Sequence, residues 1–326
     1  MRTPRRTLLS SLAALALSLS LAAPAAAQTA AIPSVIRIIV PFAPGASTDI
    51  IAREIAAQLG PRLGVSVIVE NRAGGSGFIG TAAVAKGPKD GSMLLFTSNS
   101  LISAAATMKV VPVDVVTELV PISVMGEGPM VIAAASTTNI RTPADLLAAA
   151  RAKPDALTHG TAGVGTFPHL AAEILNDAAK VQIKHIPYKG MSLATTDLAG
   201  GTIDLMLAVN TTFASTIESG RARQVAVTSL QPSPAFPGVP PMASVVPGYE
   251  ATLWTAIYAP VGVPPALLQR LNKEVNEIGR SPELQARMKA DGAIPMALTM
   301  EQARVKVRDA YTTYKRVATA KGIVID

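Results

Sequence analysis

The chain has 326 residues, 29 Lys and Arg against 22 Asp and Glu, 4% aromatic residues and no cysteine. The lack of cysteine excludes a disulfide framework, thiol chemistry and a lipid-anchor cysteine. Scattered basic residues and scarce aromatics argue against a nucleic-acid partner, which needs a basic stripe interleaved with stacking rings.

At the start, Arg2, Arg5 and Arg6 precede an apolar core from Leu8 to Leu21 and the small-residue site Ala25-Ala26-Ala27. This pattern over 1–27 predicts an export signal cleaved before Gln28 and a periplasmic mature protein; Arg5-Arg6 leaves the Sec and twin-arginine routes both open. Loss of those three arginines lowers the formal charge from +7 to +4. About 300 residues remain, the length of two ordinary domains.

"VIRIIV" (35–40) reads as a buried strand, with Ile51, Ile55 and Leu59 on one face of the helix that follows. "VSVIVE" (65–70), "GTAAVAKG" (80–87) and "SMLLFTS" (92–98) continue as strand, helix and strand, the rhythm of parallel βαβ units. A second set begins at "MVIAAAS" (130–136), followed by the helix "TPADLLAAARAKP" with Thr142 as N-cap and Pro143 at its first position. "VQIKHIPY", "TIDLMLAV" and "ARQVAVTS" read as strands, and "MSLATTDLAGG" as a helix closed by its glycines. Prolines crowd residues 231–249, which excludes helix and central strand there and marks a crossing segment. "WTAIYAP" then resumes a strand, and the tail from Pro265 is mostly helical. The reading is an α/β protein with domain 1 formed by 28–127 and 253–326. Domain 2, residues 128–252, is inserted into it, leaving a cleft between them.

Three loops are candidates for chemistry. Gly75, Gly77 and Gly80 spell G-x-G-x-x-G, but residues 71–74 separate them from the strand and no Asp or Glu occurs between Gly91 and Val113, where a ribose-binding acid belongs. They are assigned to a tight turn and close helix packing, and no cofactor is expected. "FAPGASTD" (42–49) follows the first strand and opens a helix. The N–H groups around Gly45 to Thr48 therefore offer an anion site, with Ser47, Thr48 or Asp49 as cap. "GTAGVGTFPHL" (160–170) has the same form, with Gly163, Gly165 and Thr166 before a helix whose Leu170, Ile174 and Ala178 share one face. Two such loops, one per domain, favour anion capture. His159, His169 and His185 match no zinc spacing, and no metal is expected. The rival of an envelope enzyme using His169 or His185 as general base has no nucleophile motif beside it.

In order along the chain, "IRIIVPFAPGASTDIIAREIAAQLG", "VIVENRAGGSGFIGTAAVAKGPKDG", "GVGTFPHLAAEIL", "HIPYKGMSLATTDLAGGTIDLML" and "WTAIYAPVGVPP" resemble the Bug family. These are the TctC-type extracytoplasmic solute receptors of tripartite tricarboxylate transporters. The resemblance implies a two-domain periplasmic binding protein (type II, Venus flytrap) with a ligand cleft between the domains, and no enzymatic activity. It implies a small carboxylate as ligand and the membrane subunits of such a transporter as partners, with the receptor itself a monomer. Carried onto this chain, the ligand-binding residues are Phe42, Gly45, Ala46, Ser47, Thr48 and Asp49 in the first loop and Gly163, Gly165, Thr166 and His169 in the second, with Ser98, Ala208 and Asn210. His185, Pro187, Tyr188 and Gly190 fit the family's His-x-Pro-Tyr-x-Gly element, which shapes the cleft. Two departures bear on the ligand. Ala46 stands where the family usually pairs two glycines, and Leu207-Ala208 stand where Phe-Asp often follows "DLM". The second removes an acid and disfavours an amino-acid ligand relative to a plain carboxylate, leaving Asn210 or Thr211 for neutral contacts. A receptor that reports ligand to a sensor protein is the alternative within the same fold.

Overall fold

The computed structural model describes residues 31–325 other than Ala43 and Ala46. The export signal expected over 1–27, and Ala46 of the first loop, lie outside the described residues. Two sheets organise the rest. The first contains β1 (Val35–Val40), β2 (Ser66–Asn71), β3 (Met93–Ser98), β4 (Leu119–Pro129), β10 (Thr252–Pro260) and β11 (Ile294–Pro295), in the order β11-β4-β10-β3-β1-β2. The second contains β5 (Val131–Ala135), β6 (Thr158–Thr161), β7 (Lys184–Pro187), β8 (Leu205–Ala208) and β9 (Ala222–Val227), in the order β7-β6-β8-β5-β9. The helices are α1 (Ser47–Leu63), α2 (Phe78–Ala85), α3 (Ser100–Thr107), α4 (Pro143–Ala152), α5 (Phe167–Ala179), α6 (Met191–Gly200), α7 (Ala214–Glu218), α8 (Pro265–Gly279), α9 (Pro282–Lys289) and α10 (Met300–Lys321).

The βαβ rhythm gives parallel pairs where a helix intervenes: β1 with β2 and β3, and β6 with β7 and β8. The strands that carry the chain between sheets have no such crossover and pair antiparallel: β4 and β10 in the first sheet, β5 against β8 and β9 in the second. The β-branched run of β1 is buried at Ile36, Ile38, Ile39 and Val40, as a strand covered on both faces requires. Thr142 caps α4 in a capping box with Asp145, and Pro143 opens that helix. Gly80 serves packing: a Cβ there would meet the Arg72 carbonyl at 2.9 Å and Ile39 at 3.2 Å, so only glycine lets α2 lie this close to β1.

The chain leaves the first sheet after Pro129 and returns to it at Thr252. Both passages meet at Thr228, which is fully buried. Its hydroxyl accepts from the Met130 N–H at 2.8 Å and donates to the Ala251 carbonyl at 2.6 Å. Its own N–H and carbonyl pair with the Met130 carbonyl and the Ala251 N–H, each at 2.9 Å. The proline-rich stretch between β9 and β10 forms turns and one 3-10 segment at Met242–Ser244, in keeping with its composition. Beyond α10, Ile325 runs beside the end of α3: its N–H donates to the Thr107 carbonyl at 2.9 Å and its carbonyl accepts from the Lys109 N–H at 3.1 Å.

Candidate ligand-binding site

The first loop leaves the carboxyl end of β1 and enters α1, the place where open α/β sheets bind ligands. It is held by a network the sequence does not announce. Asp49, in the first turn of α1, is buried and reaches back to accept the Gly45 N–H at 2.9 Å, Arg53 Nε at 3.1 Å and Asn71 Nδ2 at 2.9 Å. Asn71 also donates to the Phe42 carbonyl at 3.1 Å, so the end of β2 fixes both ends of the loop. Burial pushes the Asp49 carboxyl up, but the bonds from Arg53, Gly45 and Asn71 outweigh it and hold it below its ordinary value. Asp49 thus shapes the loop, and the Gly45 N–H, expected from sequence to be an anion donor, is turned to Asp49. Gly45 has φ +84°, and a Cβ there would face open space.

The second loop leaves the carboxyl end of β6 and enters α5, and it too is braced from within. Thr161 accepts the Gly163 N–H at 3.2 Å, donates to the Gly163 carbonyl at 3.0 Å and pairs with His185 Nε2 at 2.6 Å. The Thr166 hydroxyl donates to the Gly163 carbonyl at 2.8 Å. The Gly165 N–H donates to His169 Nδ1 at 3.1 Å, which requires a neutral ring with its proton on Nε2. Gly165, at φ +74°, is pressed against the first sheet's elements: a Cβ would collide with Ile325 and Thr107, and its carbonyl accepts from the Ser103 hydroxyl at 2.6 Å. This glycine is required for packing between α3, the tail and the loop.

Behind that loop the three histidines form a stack. His169 and His185 lie 3.7 Å apart between ring centroids, and His159 lies 5.0 Å from His185. Burial, and then the neighbouring His185, push His169 down to about 3, and burial alone pushes His185 down to about 4. His159 is held well below the usual imidazole range by burial first and its two neighbours second. A base at neutral pH needs a free lone pair near a reacting group; His169 Nδ1 is spent on Gly165 and His185 Nε2 on Thr161, and His159 is fully buried, with neither ring nitrogen hydrogen-bonded. Among the described residues no group of His, Asp and Glu is arranged to hold a metal ion.

The remaining sequence-predicted residues fall at strand ends. Ser98 ends β3 and caps the Ser100 N–H at 3.3 Å, while Ala208 ends β8, buried beside Val131. Asn210 and Thr211 follow β8 and are joined to Ser47 through a residue that sequence reasoning missed, Asp291. Its Oδ2 accepts from the Ser47 hydroxyl at 3.1 Å and its Oδ1 from the Thr211 N–H at 3.0 Å. Asn210 donates to the neighbouring Ala290 carbonyl at 3.4 Å and accepts from Gln224 at 2.7 Å. The first loop is therefore tied to the β8 exit, whereas among the described residues it shares no hydrogen bond with the second loop. Asp291 lies 244 positions from Ser47, and a carboxylate in a helix-to-strand turn has no local signal that points across the molecule.

The family model for the tripartite tricarboxylate transporter family receptor, TctC, matches residues 51–323. The chain belongs to this family. BugT of Bordetella pertussis is 35% identical over 290 residues, covering 88% of this chain and 89% of that protein. A UPF0065 protein from a tcbD-tcbE intergenic region of a Pseudomonas species is 36% identical over 284 residues, covering 86% and 84%. Among solved structures, R. palustris Rpa4515 with adipate superposes with TM-score 0.80 at 29% identity, covering 89% of this chain and 98% of that one. The periplasmic binding protein BugD superposes with TM-score 0.77 at 31% identity, over 89% and 98%. TctC receptors are periplasmic binding proteins and not enzymes, so the general-base reading of His169 and His185 is excluded by family as well as by geometry. The α/β architecture with two sheets is that of these periplasmic solute-binding proteins.

Proposed function

We propose that this receptor closes on a small organic carboxylate between two lobes and hands it to the membrane subunits of a tripartite tricarboxylate transporter. The lobes are residues 28–127 with 253–326, and residues 128–252, each built on one of the two sheets. The observation that carries the reading is the pair of strand-to-helix loops, 42–49 after β1 and 160–170 after β6, each opening a helix of at least 13 residues. Helix N-termini present unpaired N–H groups and partial positive charge, which suit a carboxylate. Support for the ligand class comes from Rpa4515, a 29% identical protein solved with adipate. In the first loop the donors left for ligand are the N–H groups of the opening turn of α1 and the Thr48 hydroxyl. In the second they are the N–H groups of Phe167 and His169. The receptor acts as a monomer, without metal or cofactor, after removal of residues 1–27.

Trp254 provides the assay. It is the only tryptophan and is buried in β10. Asn99 accepts from its N–H at 3.4 Å and donates to the Tyr314 hydroxyl at 2.9 Å; Tyr314 in turn lies 5.4 Å from the Phe167 ring beside the second loop. The Asn99 bond is to the Trp254 backbone, so movement of the second loop is expected to alter the indole's surroundings through Tyr314 and Asn99. Protein recovered from the periplasm, with a mass matching a start near Gln28, should show saturable fluorescence changes with small mono- or dicarboxylates and little response to their amides. Gly45→Leu, strained at positive φ and projecting into the loop's open side, should fold and bind more weakly by at least tenfold; Thr166→Val, which removes one of the two hydroxyl donors on the Gly163 carbonyl, should have a milder effect. Unchanged affinity in folded Gly45→Leu protein would remove the anion from this loop.

A further inference from the structure

Leu207 and Ala208 leave the exit of β8 without an acid of its own. Asp291 brings a carboxylate to that side of the proposed site from a different direction. It is 7% exposed, between Ser47 at the start of α1 and Thr211 just beyond β8. Those two neutral donors fill two of the roughly four acceptor positions of a carboxylate. Among the described residues no Lys, Arg or His lies within ion-pair distance of it. Asp49, the other acid of the site, is instead paired with Arg53 at 3.1 Å. A largely buried carboxylate with spare lone pairs and no cation favours any group that donates to it and opposes any second anion.

We propose that Asp291 is a specificity-determining residue that selects carboxylate ligands bearing a hydroxyl or ammonium donor and rejects those with a second carboxylate near it. The proposal rests on the carboxylate-receptor reading given above and names the ligand class within it. A donor on the ligand adds a third hydrogen bond to Asp291, and an ammonium supplies the charge the residue lacks. A second carboxylate at the same place meets repulsion that no nearby cation offsets. Because the Ser47 hydroxyl donates to Asp291, Ser47 positions the selecting carboxylate and is not itself an anion donor.

The test uses the full mature protein and a four-carbon series: butyrate, its hydroxy and amino derivatives, and succinate, with adipate as a longer dicarboxylate. Affinities are measured by calorimetry for the wild type, Asp291→Asn and Ser47→Ala. The wild type should bind the best hydroxy or amino derivative at least ~10-fold more tightly than butyrate and succinate, the size of one charge-assisted hydrogen bond. Asp291→Asn keeps the shape and both neutral contacts but removes the charge; the preference should collapse and dicarboxylate affinity should rise. Ser47→Ala breaks the bridge but keeps the charge, so the ranking of ligands should survive even where all bind more weakly. If Asp291→Asn and Ser47→Ala lower every affinity alike and leave the ranking intact, Asp291 only bridges the two elements and the proposal is overturned. A wild type that prefers succinate or adipate also overturns it. If neither wild type nor variants bind any member of the series while all remain folded, the carboxylate-receptor reading itself fails, a result distinct from loss of ranking.

Discussion

His169 and His185 have a cost that depends on pH. Their folded values, about 3 and about 4, lie below the ordinary imidazole value of 6.5, because burial disfavours the charged rings and, for His169, because His185 lies against it. An unfolded chain binds protons as pH falls through 6.5 while the folded stack does not. Stability is therefore fully present above 6.5 and is lost as pH falls from there toward the folded values. Each ring contributes a slope of up to about 1.4 kcal/mol per pH unit. Protonation of His169 would also place a hydrogen on Nδ1, against the Gly165 N–H. Urea unfolding at about pH 7, 6 and 5 should show falling free energy, and His169→Gln and His185→Gln should flatten the dependence. A flat wild-type profile across that range would contradict a neutral, stacked cluster.

At the scale of elements, the second loop is more tightly constrained than the first. Gly165 combines positive φ with contact against Ile325 and Thr107, while at Gly163, with φ +139°, an added Cβ would meet only the Tyr188 carbonyl, at 3.7 Å. Gly165→Ala should lower the melting temperature by several degrees, roughly 2 kcal/mol or more from strain and collision together, and Gly163→Ala by less. Equal melting temperatures for the two would show that the tail yields easily. The contrast also marks what the sequence could reveal. β1, the helix opening at Thr142 and the two glycine-bearing strand-to-helix loops are legible because periodicity and capping are local signals. β4 is not, since Pro121, Gly126, Gly128 and Pro129 interrupt its strand pattern, and α3 is a short Ser/Ala-rich helix whose N-cap residue, Asn99, makes no side-chain capping bond. The roles of Asn71 and Asp291 are illegible for another reason: each depends on partners brought together only by the sheets, as does the bond from Asn71 to Asp49.

For the molecule as a whole, the chain's two passages between sheets converge on Thr228. Thr228→Val keeps the shape but strands the Met130 N–H and the Ala251 carbonyl in a buried place, and should destabilise by about 1–3 kcal/mol. If the passages act as a hinge, small-angle scattering should also show a smaller difference between ligand-free and ligand-saturated dimensions in the wild type than in this variant, whose connection is looser. A variant as stable as wild type would mean that the hydroxyl is dispensable at that crossing. The tail has a quieter consequence for anyone handling the protein. Ile325 is stitched to α3 by two backbone hydrogen bonds, and its side chain lies where Gly165 has none. A tag placed on the carboxyl-terminal side of Ile325 pulls on that stitch, and through it on the second loop. An affinity measured on a surface through such a tag would record tension on Gly165 together with the ligand, which makes the attachment point a variable of the assay in its own right.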